Sequence, residues 1–232
     1  MDRFKKALAA NPVTPTDQEY NQYGELLLAG KDYAKAIEIY GDLLSASTNN
    51  ILAQADADYG LGAAYLAQGD LDKADSYFGD MVKLPGGAAW HPHIYDAEYG
   101  LALGAEKNGD PDGSAKKSYA DIMQAPQAGT LLQAKAMLGY GRLLEKAGVS
   151  LKPATPGTIE FAIHYYQEPS ILFGLAVPAL SAEGLFDAGQ AYANAGDTTD
   201  AKAQYNNLIS TFGTTSPDWV AKANAELAKL GP

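Results

Sequence analysis

Three histidines are the side chains of this sequence best suited to chemistry near neutral pH. His91 and His93 lie in the segment WHPH, and His164 precedes two tyrosines. A metal site needs further ligands grouped around the ion, and no acidic or histidine cluster with metal-ligand spacing accompanies WHPH. We therefore predict no metal site. A solvated connector or a packed Trp90 is the favoured explanation for WHPH, and a surface or partly packed position for His164.

The other candidates for catalysis or cofactor binding have simpler structural explanations. Asp56 and Asp58 could form a general acid/base pair, but this spacing favours a solvated helix face. The sequence has no cysteine, which excludes thiol catalysis, disulfides and cysteine-ligated zinc, and it contains neither a GxSxG nor a P-loop motif. Its 24 glycines fall at predicted turns and helix contacts. We therefore expect no enzyme activity and no cofactor.

The charge balance limits the classes of partner. A formal net charge of −11 opposes binding to nucleic acid or anionic lipid, because phosphate binding needs clustered basic residues and the 17 here are scattered. No segment approaches the roughly 20 apolar residues of a spanning helix, and the start, MDRFKKALAANPVTPT, lacks the apolar stretch of a signal peptide. We expect a soluble chain without membrane insertion. The lack of cysteine suits an envelope or a cytosolic location equally.

An internal repeat organises the chain and must position these side chains. The segment DYGLGAAYLAQGD at 58–70 matches EYGLALGAEKNGD at 98–110. Similar turns recur at intervals of 39, 40, 39 and 48 residues, and the last interval holds an insertion of about nine residues, VSLKPATPGT at 149–158. The turn glycines are Gly30, Gly69, Gly109, Gly148 and Gly196. This spacing predicts five helix-turn-helix units and no β-strand of useful length.

Each unit has a characteristic residue pattern on either side of its turn. Seven positions before the glycine the residue is small in four of five units, which lets a neighbouring helix approach closely. After the turn come an alanine and, four residues later, an aromatic residue, which puts both on one helical face. The pairs are Ala36 and Tyr40, Ala74 and Phe78, Ala115 and Tyr119, Ala162 and Tyr166, and Ala201 and Tyr205. The first and third units have one extra residue between glycine and alanine.

We expect a single domain over residues 1–232, with units at 17–46, 51–85, 92–125, 130–168 and 180–211. The segment TSPDWVAKANAELAKL predicts a C-terminal capping helix over 217–230, with Ser216 as its N-cap and Pro217 at the first helical position. A further short helix is expected over 2–10. Pro169 should cut the second helix of the fourth unit short, before an irregular apolar connector.

The fifth unit, LFDAGQAYANAGDTTDAKAQYNNLI, resembles the tetratricopeptide repeat (TPR) family in its order of small residue, Ala-Tyr, Gly-Asp turn, alanine and aromatic. The second unit resembles it as well, and the likeness covers roughly residues 17–230, although the period is 39–40 rather than the family's 34. The resemblance implies an all-α fold, a right-handed superhelical α-solenoid of about five helix-turn-helix repeats with a C-terminal capping helix. The chain also looks like bacterial cell-envelope TPR proteins, a less specific likeness that favours an envelope location.

The resemblance also implies where a partner binds, since the first helices of TPR units line a concave groove. Ten residues before each turn glycine, on that side, stand Tyr20, Tyr59, Tyr99, Leu138 and Phe186. Thirteen residues before it stand Asp17, Asp56, Asp96, Lys135 and Glu183, so the edge of this aromatic ladder is mostly acidic. At the matching central positions Arg142 is the only cation, beside Ala63, Leu103 and Gln190, which does not support the family's carboxylate clamp. The alternative is that the ladder residues pack between helices.

These features predict a non-enzymatic adaptor that binds a basic and apolar segment of a partner protein in an aromatic, acid-edged groove. Two alternatives remain open. One is a small-molecule or glycan receptor that uses the tyrosines as stacking platforms and the insertion at 149–158 as a lid. The other is a structural role, in which the groove or the apolar connector around 171–180 mediates self-association into a homo-oligomer.

Overall fold

The computed structural model describes residues 15–110, 112–152, 154 and 158–231. These residues form eleven α-helices and three short 3-10 helices and contain no β-strand, which confirms the all-α prediction for the described part of the chain. The helix expected over 2–10 lies outside them, as does part of the insertion at 149–158. Within the described ranges, none of the helices combines the length and apolarity that a bilayer crossing requires.

The chain divides into two compact units, each larger than a single repeat, and the word unit refers to these two from here on. The first unit spans Met1–Gly104. In this unit α1 packs on α2 and α3, α2 packs on α3, and α3 packs on α4. A 3-10 turn at Pro85–Ala88 follows α4. The helices are α1 Asp17–Ala29, α2 Tyr33–Ala46, α3 Ile51–Ala67, α4 Leu71–Lys83 and α5 Ile94–Lys107, of which the last three residues belong to the second unit.

The second unit spans Ala105–Pro232. Each helix from α6 to α11 packs on the next, and α9 also contacts α11. Short 3-10 turns at Pro126–Ala128 and Gly174–Ala176 precede α7 and α9. The helices are α6 Ser114–Gln124, α7 Gly129–Lys146, α8 Ala162–Leu172, α9 Pro178–Asn194, α10 Thr198–Phe212 and α11 Pro217–Lys229.

The aromatic residues of the five alanine–aromatic pairs fill the cores, and all ten side chains of these pairs are buried. Each ring lies against glycines of the first helices, where an added Cβ would come under 3.0 Å from ring atoms. This contact confirms that small residues on the first helices allow close helix approach. The glycines are Gly24 and Gly60 at Tyr40, Gly62 and Gly100 at Phe78, Gly139 at Tyr119, Gly141 at Tyr166, and Gly189 at Tyr205.

The turn of the first helix pair shows why its spacing differs by one residue. Its left-handed residue is Lys31, with φ of 58°, whereas Gly30 has φ of −78°. In the other pairs a glycine takes this conformation, for example Gly69 with φ of 80°. In both turns the next N–H donates to the carbonyl five residues earlier, the bond of a Schellman motif. Lys31 is therefore the equivalent of Gly69, and the first pair has no extra residue.

The prediction that Pro169 ends α8 is wrong. The helix continues beyond the proline to Leu172. Pro169 lacks only its own N–H, and its carbonyl still accepts a hydrogen bond from the N–H of Phe173 at 3.1 Å. One missing donor is therefore tolerated near the end of this helix.

The insertion shortens α8 at its beginning instead. The N–H of Ala162 donates to the carbonyl of Val149 at 2.8 Å. In the second pair the equivalent bond runs from the N–H of Ala74 to the carbonyl of Asp70, at 3.0 Å and only four residues apart. Val149 and Ala162 therefore take the places of Asp70 and Ala74 in the repeat, and α8 begins at Ala162 without the turn that precedes Ala74 in α4.

The helix α11 covers the apolar side of the last helix pair. Its stripe of five apolar residues packs against the cluster that contains Phe186 and Tyr205. Ser216 precedes the helix but its side chain makes no capping hydrogen bond. The stripe comprises Trp219, Val220, Ala223, Leu227 and Leu230, the residues that the sequence pattern indicates.

Candidate functional site

The connector between α4 and α5 brings three predicted site residues of the first unit together. His91 is 4% exposed, and its Nε2 lies 3.0 Å from Oδ1 of Asp56. His93 stacks on Tyr59 with ring centroids 4.2 Å apart, and its Nδ1 lies 3.2 Å from Oδ2 of Asp96. The hydrogen bond with Asp96 raises the pKa of His93 above its ordinary value, although burial opposes this shift. The result is an acidic and aromatic surface on α3 and α5.

The hydrogen bonds of His91 fix its tautomer and its role. Nδ1 accepts a hydrogen bond from the N–H of His93 at 3.2 Å, so Nε2 carries the ring proton and its N–H donates a hydrogen bond to Oδ1 of Asp56. WHPH is thus a packed connector rather than a solvated one, and it packs mainly through His91, which is 4% exposed whereas Trp90 is 43% exposed. In the described part of the chain no group of three or more metal-ligating side chains is arranged to hold an ion.

Tyr20 does not occupy the ladder position. Because Lys31 is the equivalent of Gly69, the counterpart of Tyr59 in α1 is Asn21, and Tyr20 corresponds to Asp58. Tyr20 is partly buried against the core formed by α2 and α3. In the first unit the ladder is therefore restricted to Tyr59 and Tyr99, both half-buried.

In the second unit the ladder positions belong to the core. Leu138 is 1% exposed. Phe186 is 8% exposed, and its ring lies 5.7 Å from that of Tyr205 and 5.4 Å from that of Trp219. Neither side chain presents a surface to a partner, so the prediction of a groove contact is wrong at these two positions. The physical reason at Phe186 is the cover provided by α11.

Arg142 is held by a buried carboxylate. Its Nε lies 2.9 Å from Oε1 of Glu106 and its Nη2 lies 3.3 Å from Oε2. The hydroxyl of Tyr119 donates to the same carboxylate at 2.7 Å, and Nζ of Lys146 lies 3.8 Å from it. Burial alone would raise the pKa of Glu106, but the hydrogen bonds and charge of Arg142 hold it below its ordinary value. Arg142 is therefore already paired with a carboxylate of its own unit.

A cleft of about 150 Å³ opens beside Arg142 in the second unit. Within it the hydroxyl of Tyr166 donates to Oε2 of Glu145 at 2.7 Å. The cleft joins two predicted site residues, Arg142 and Gln190, to polar side chains that the sequence patterns did not assign to a site. Its lining comprises Arg142, Glu145, Tyr166, Asp187, Gln190 and Asn194.

Burial raises the pKa of two acidic residues of α9, Asp187 in the cleft and Glu183 one helical turn before it. Burial, and then the negative charge of Glu183, raise the pKa of Asp187 to about 7, although Arg142 opposes the shift. Burial also raises the pKa of Glu183. A ligand with positive charge would offset both causes, because it compensates lost hydration and like-charge repulsion.

The sequence contains a signal for Asp187, but it can be recognised only when the glycines that contact the core aromatic rings are known. Nine residues before the turn glycine, three other repeats have a glycine that contacts a core ring. In the fifth repeat this position holds Asp187, beside Tyr166. A charged side chain at a position otherwise reserved for close packing indicates a role other than packing. The three glycines are Gly60, Gly100 and Gly139.

Comparison with known proteins agrees with this architecture. The sequence profile of the tetratricopeptide repeat matches residues 56–84 and 183–215. These two segments of the chain are tetratricopeptide repeats. A thermophilic TPR protein of Thermus thermophilus has a similar fold, with a TM-score of 0.52 and 16% sequence identity over 92% of this chain and 100% of that chain. The likeness shows the all-α solenoid fold. No curated protein matches the sequence.

The two matched segments are the second and fifth TPRs, in which the residue pattern is most complete. TPRs are generally protein–protein interaction modules. The second TPR carries Asp56 and Tyr59, and the fifth carries Asp187 and Gln190. The candidate surface at Tyr59 in the first unit therefore lies on the second TPR, and the cleft at Asp187 in the second unit lies on the fifth TPR. These are the two repeats with the most complete family pattern.

The second TPR also buries a carboxyl group. Asp58 is buried in α3, so the prediction of a solvated helix face is wrong at this residue. Burial, and then the charge of Asp80, raise the pKa of Asp58 to about 7. Alignment of the repeats explains the burial, because the equivalent residues of the fourth and fifth TPRs are the buried Met137 and Leu185.

Asp58→Asn should stabilise the protein at alkaline pH. The pKa of an unfolded aspartate is near 4 and that of folded Asp58 is about 7, so the folded chain holds the proton more tightly. The free energy of unfolding therefore decreases as the pH rises from about 4 to about 7. We expect a gain of about 2 kcal/mol at about pH 8 and almost none at about pH 4, measured by urea denaturation. The exposed Asp42→Asn should show no such difference, and equal gains in both variants would contradict burial of Asp58.

Proposed function

We propose that this TPR protein is a non-enzymatic interaction module, and that the cleft lined by α7, α8 and α9 is where a segment of a partner protein binds. The observation that carries the proposal is Asp187, a half-buried carboxyl that stands beside like charges in an open cleft. A carboxyl in this setting costs stability in the free protein at neutral pH. Association with a cationic partner would offset that cost.

The partner segment should combine basic and apolar residues. The net charge of −11 attracts a basic segment over long range, and this attraction weakens with salt. Gln190 and Asn194 are exposed at the cleft, and their amides can donate to and accept from an extended backbone. Such contacts orient a peptide without selecting its sequence.

The first unit supports a second contact surface of the same kind. Tyr59, with His93 stacked on it, lies among the carboxylates of Asp56 and Asp96. The stack covers one face of the Tyr59 ring, which leaves less of it for a sugar to stack on. This geometry favours a protein ligand over a glycan for this surface.

Selection of peptides from a displayed random library tests the proposal. We expect the selected peptides to be basic and to lose about tenfold or more in affinity for Asp187→Asn, because that change removes one charge and keeps the shape. Asp218→Asn, an exposed carboxylate of the same unit, is the matched control and should bind as the wild type does. Affinities are measured by isothermal titration calorimetry at two salt concentrations.

Two results would contradict the proposal. Equal affinity of all three proteins for the selected peptides would place binding outside the cleft. Concentration-dependent assembly of the wild type in light scattering, without any peptide binding, would favour the structural role. Ile171 and Leu172 at the end of α8, and Leu175 in the 3-10 turn after it, would then be the first surface to mutate, since they are exposed by 72%, 58% and 65%.

A further inference from the structure

Two successive repeats of the second unit carry the same pair of a tyrosine hydroxyl and a glutamate. Tyr119 donates to Glu106 at 2.7 Å, and Tyr166 donates to Glu145 at 2.7 Å. Both glutamates stand three residues before the turn glycine of their repeat, and both tyrosines are the core aromatic of its second helix. The two pairs are therefore equivalent by the internal repeat.

The two pairs differ in the residues that the first helix of the following repeat places beside them. At Glu106, the following first helix supplies Arg142, which binds the carboxylate with two nitrogens, and Lys146, whose Nζ lies 3.8 Å away. The equivalents of these cations one repeat later, six and two residues before the turn glycine, are Gln190 and Asn194. Both line the same cleft as Glu145. The second glutamate thus meets two neutral amides where the first meets two cations.

We propose that the cleft binds the guanidinium group of an arginine from the partner segment, in the place that the chain's own Arg142 takes one repeat earlier. This inference rests on the proposed function and names the side chain that the cleft recognises. The template is the observed bidentate contact, with nitrogen–oxygen distances of 2.9 and 3.3 Å. Arginine fits such a contact better than lysine, because its planar fork matches the two carboxylate oxygens.

The charges around the cleft agree with a cationic ligand. Glu145 on α7 and both Glu183 and Asp187 on α9 are acidic, and Tyr166 on α8 contributes its hydroxyl. The cations that act on these groups are Arg142, which Glu106 already binds, and Lys222 on α11, whose Nζ lies over the Trp219 ring. Because the pKa of Asp187 is about 7, guanidinium binding should strengthen from about pH 6 to about pH 8 as this carboxyl ionises.

The first experiment places an arginine of the chain itself in the cleft. In Gln190→Arg, the new side chain should bind Glu145 as Arg142 binds Glu106, so the variant should melt at a higher temperature than the wild type. Gln190→Met has a similar size without charge and should not show this increase. A Gln190→Arg variant that melts no higher than Gln190→Met would overturn the proposal, because the two repeats would then not be equivalent.

The second experiment measures the ligand directly. The probe is a capped pentapeptide with a central arginine among alanines, titrated into isotopically labelled wild-type protein and followed by NMR at Glu145, Asp187 and Gln190. We expect it to bind about tenfold more tightly than the citrulline analogue, with the lysine analogue between them, and to bind neither Gln190→Arg nor Asp187→Asn. Equal shifts with arginine and citrulline, or none with either, would overturn the proposal.

The same proteins separate this inference from the proposed function. Peptides selected from the library that depend on Asp187 but contain no arginine would retain the interaction site and reject the guanidinium. Selected peptides that bind Asp187→Asn as tightly as the wild type would reject the site itself.

Discussion

Gly60→Ala is expected to destabilise the protein by about 3 kcal/mol. A Cβ at this position would come under 3.0 Å from three atoms of the Tyr40 ring, which is completely buried. The ring has no space to retreat, since a Cβ at Gly24 would meet the same three atoms under 3.0 Å. Urea denaturation monitored by circular dichroism measures the loss.

Gly41→Ala is the matched control, on the neighbouring helix α2. No atom lies within 4 Å of a Cβ built at Gly41. This change should stabilise the protein by about 0.5–1 kcal/mol, since alanine restricts the unfolded chain and favours helix. If Gly60→Ala proved as stable as Gly41→Ala, the tyrosine would not be packed between the first helices and the repeat register would be wrong.

Arg142→Met is expected to lower the free energy of unfolding by about 3 kcal/mol near neutral pH. The change leaves Glu106 buried without its bidentate partner, and the burial that Arg142 now offsets would raise the pKa of this glutamate. The loss should therefore shrink at about pH 4, where Glu106 can take up a proton. Denaturation at both pH values tests this prediction.

The double variant Glu106→Met and Arg142→Met should recover most of that stability, because replacing both partners of a buried ion pair by apolar groups removes the unpaired charge. It also removes the hydrogen bond from the hydroxyl of Tyr119 to Glu106. The hydroxyls of Tyr40 and Tyr205 already make no hydrogen bond within the described residues, so the fold tolerates this state. A double variant as unstable as Arg142→Met would show that the pair stabilises the fold through contacts other than its charges.

The repeat and its packing could be predicted because they depend on residue size at fixed spacing. The alanine–aromatic pairs and the small residues before each turn follow helical periodicity, and the rings lie against those small residues. The C-terminal stripe from Trp219 to Leu230 is equally local. In each case the sequence pattern and the three-dimensional contact are properties of one helix face.

The groove could be predicted only in part, because its register depends on backbone conformation and on cover by distant elements. Lys31 adopts the left-handed conformation that glycine usually takes, which moves Tyr20 off the ladder. Phe186 is buried by α11, and Tyr59 is covered on one face by His93 from a connector. The cleft at Asp187 could not be predicted from a single repeat, because residues of three helices, α7, α8 and α9, line it.

The most direct test of the claim that the cleft binds a partner protein is photo-crosslinking from its edge. A small diazirine amino acid is placed at Asn194, which is exposed at the cleft, or at Asn206, which is exposed on α10 away from it. We predict that a partner from an extract of the source cells crosslinks from position 194, not from 206, and that Asp187→Asn abolishes the product. A partner that crosslinks equally from both positions, or from 194 regardless of Asp187, would contradict the claim.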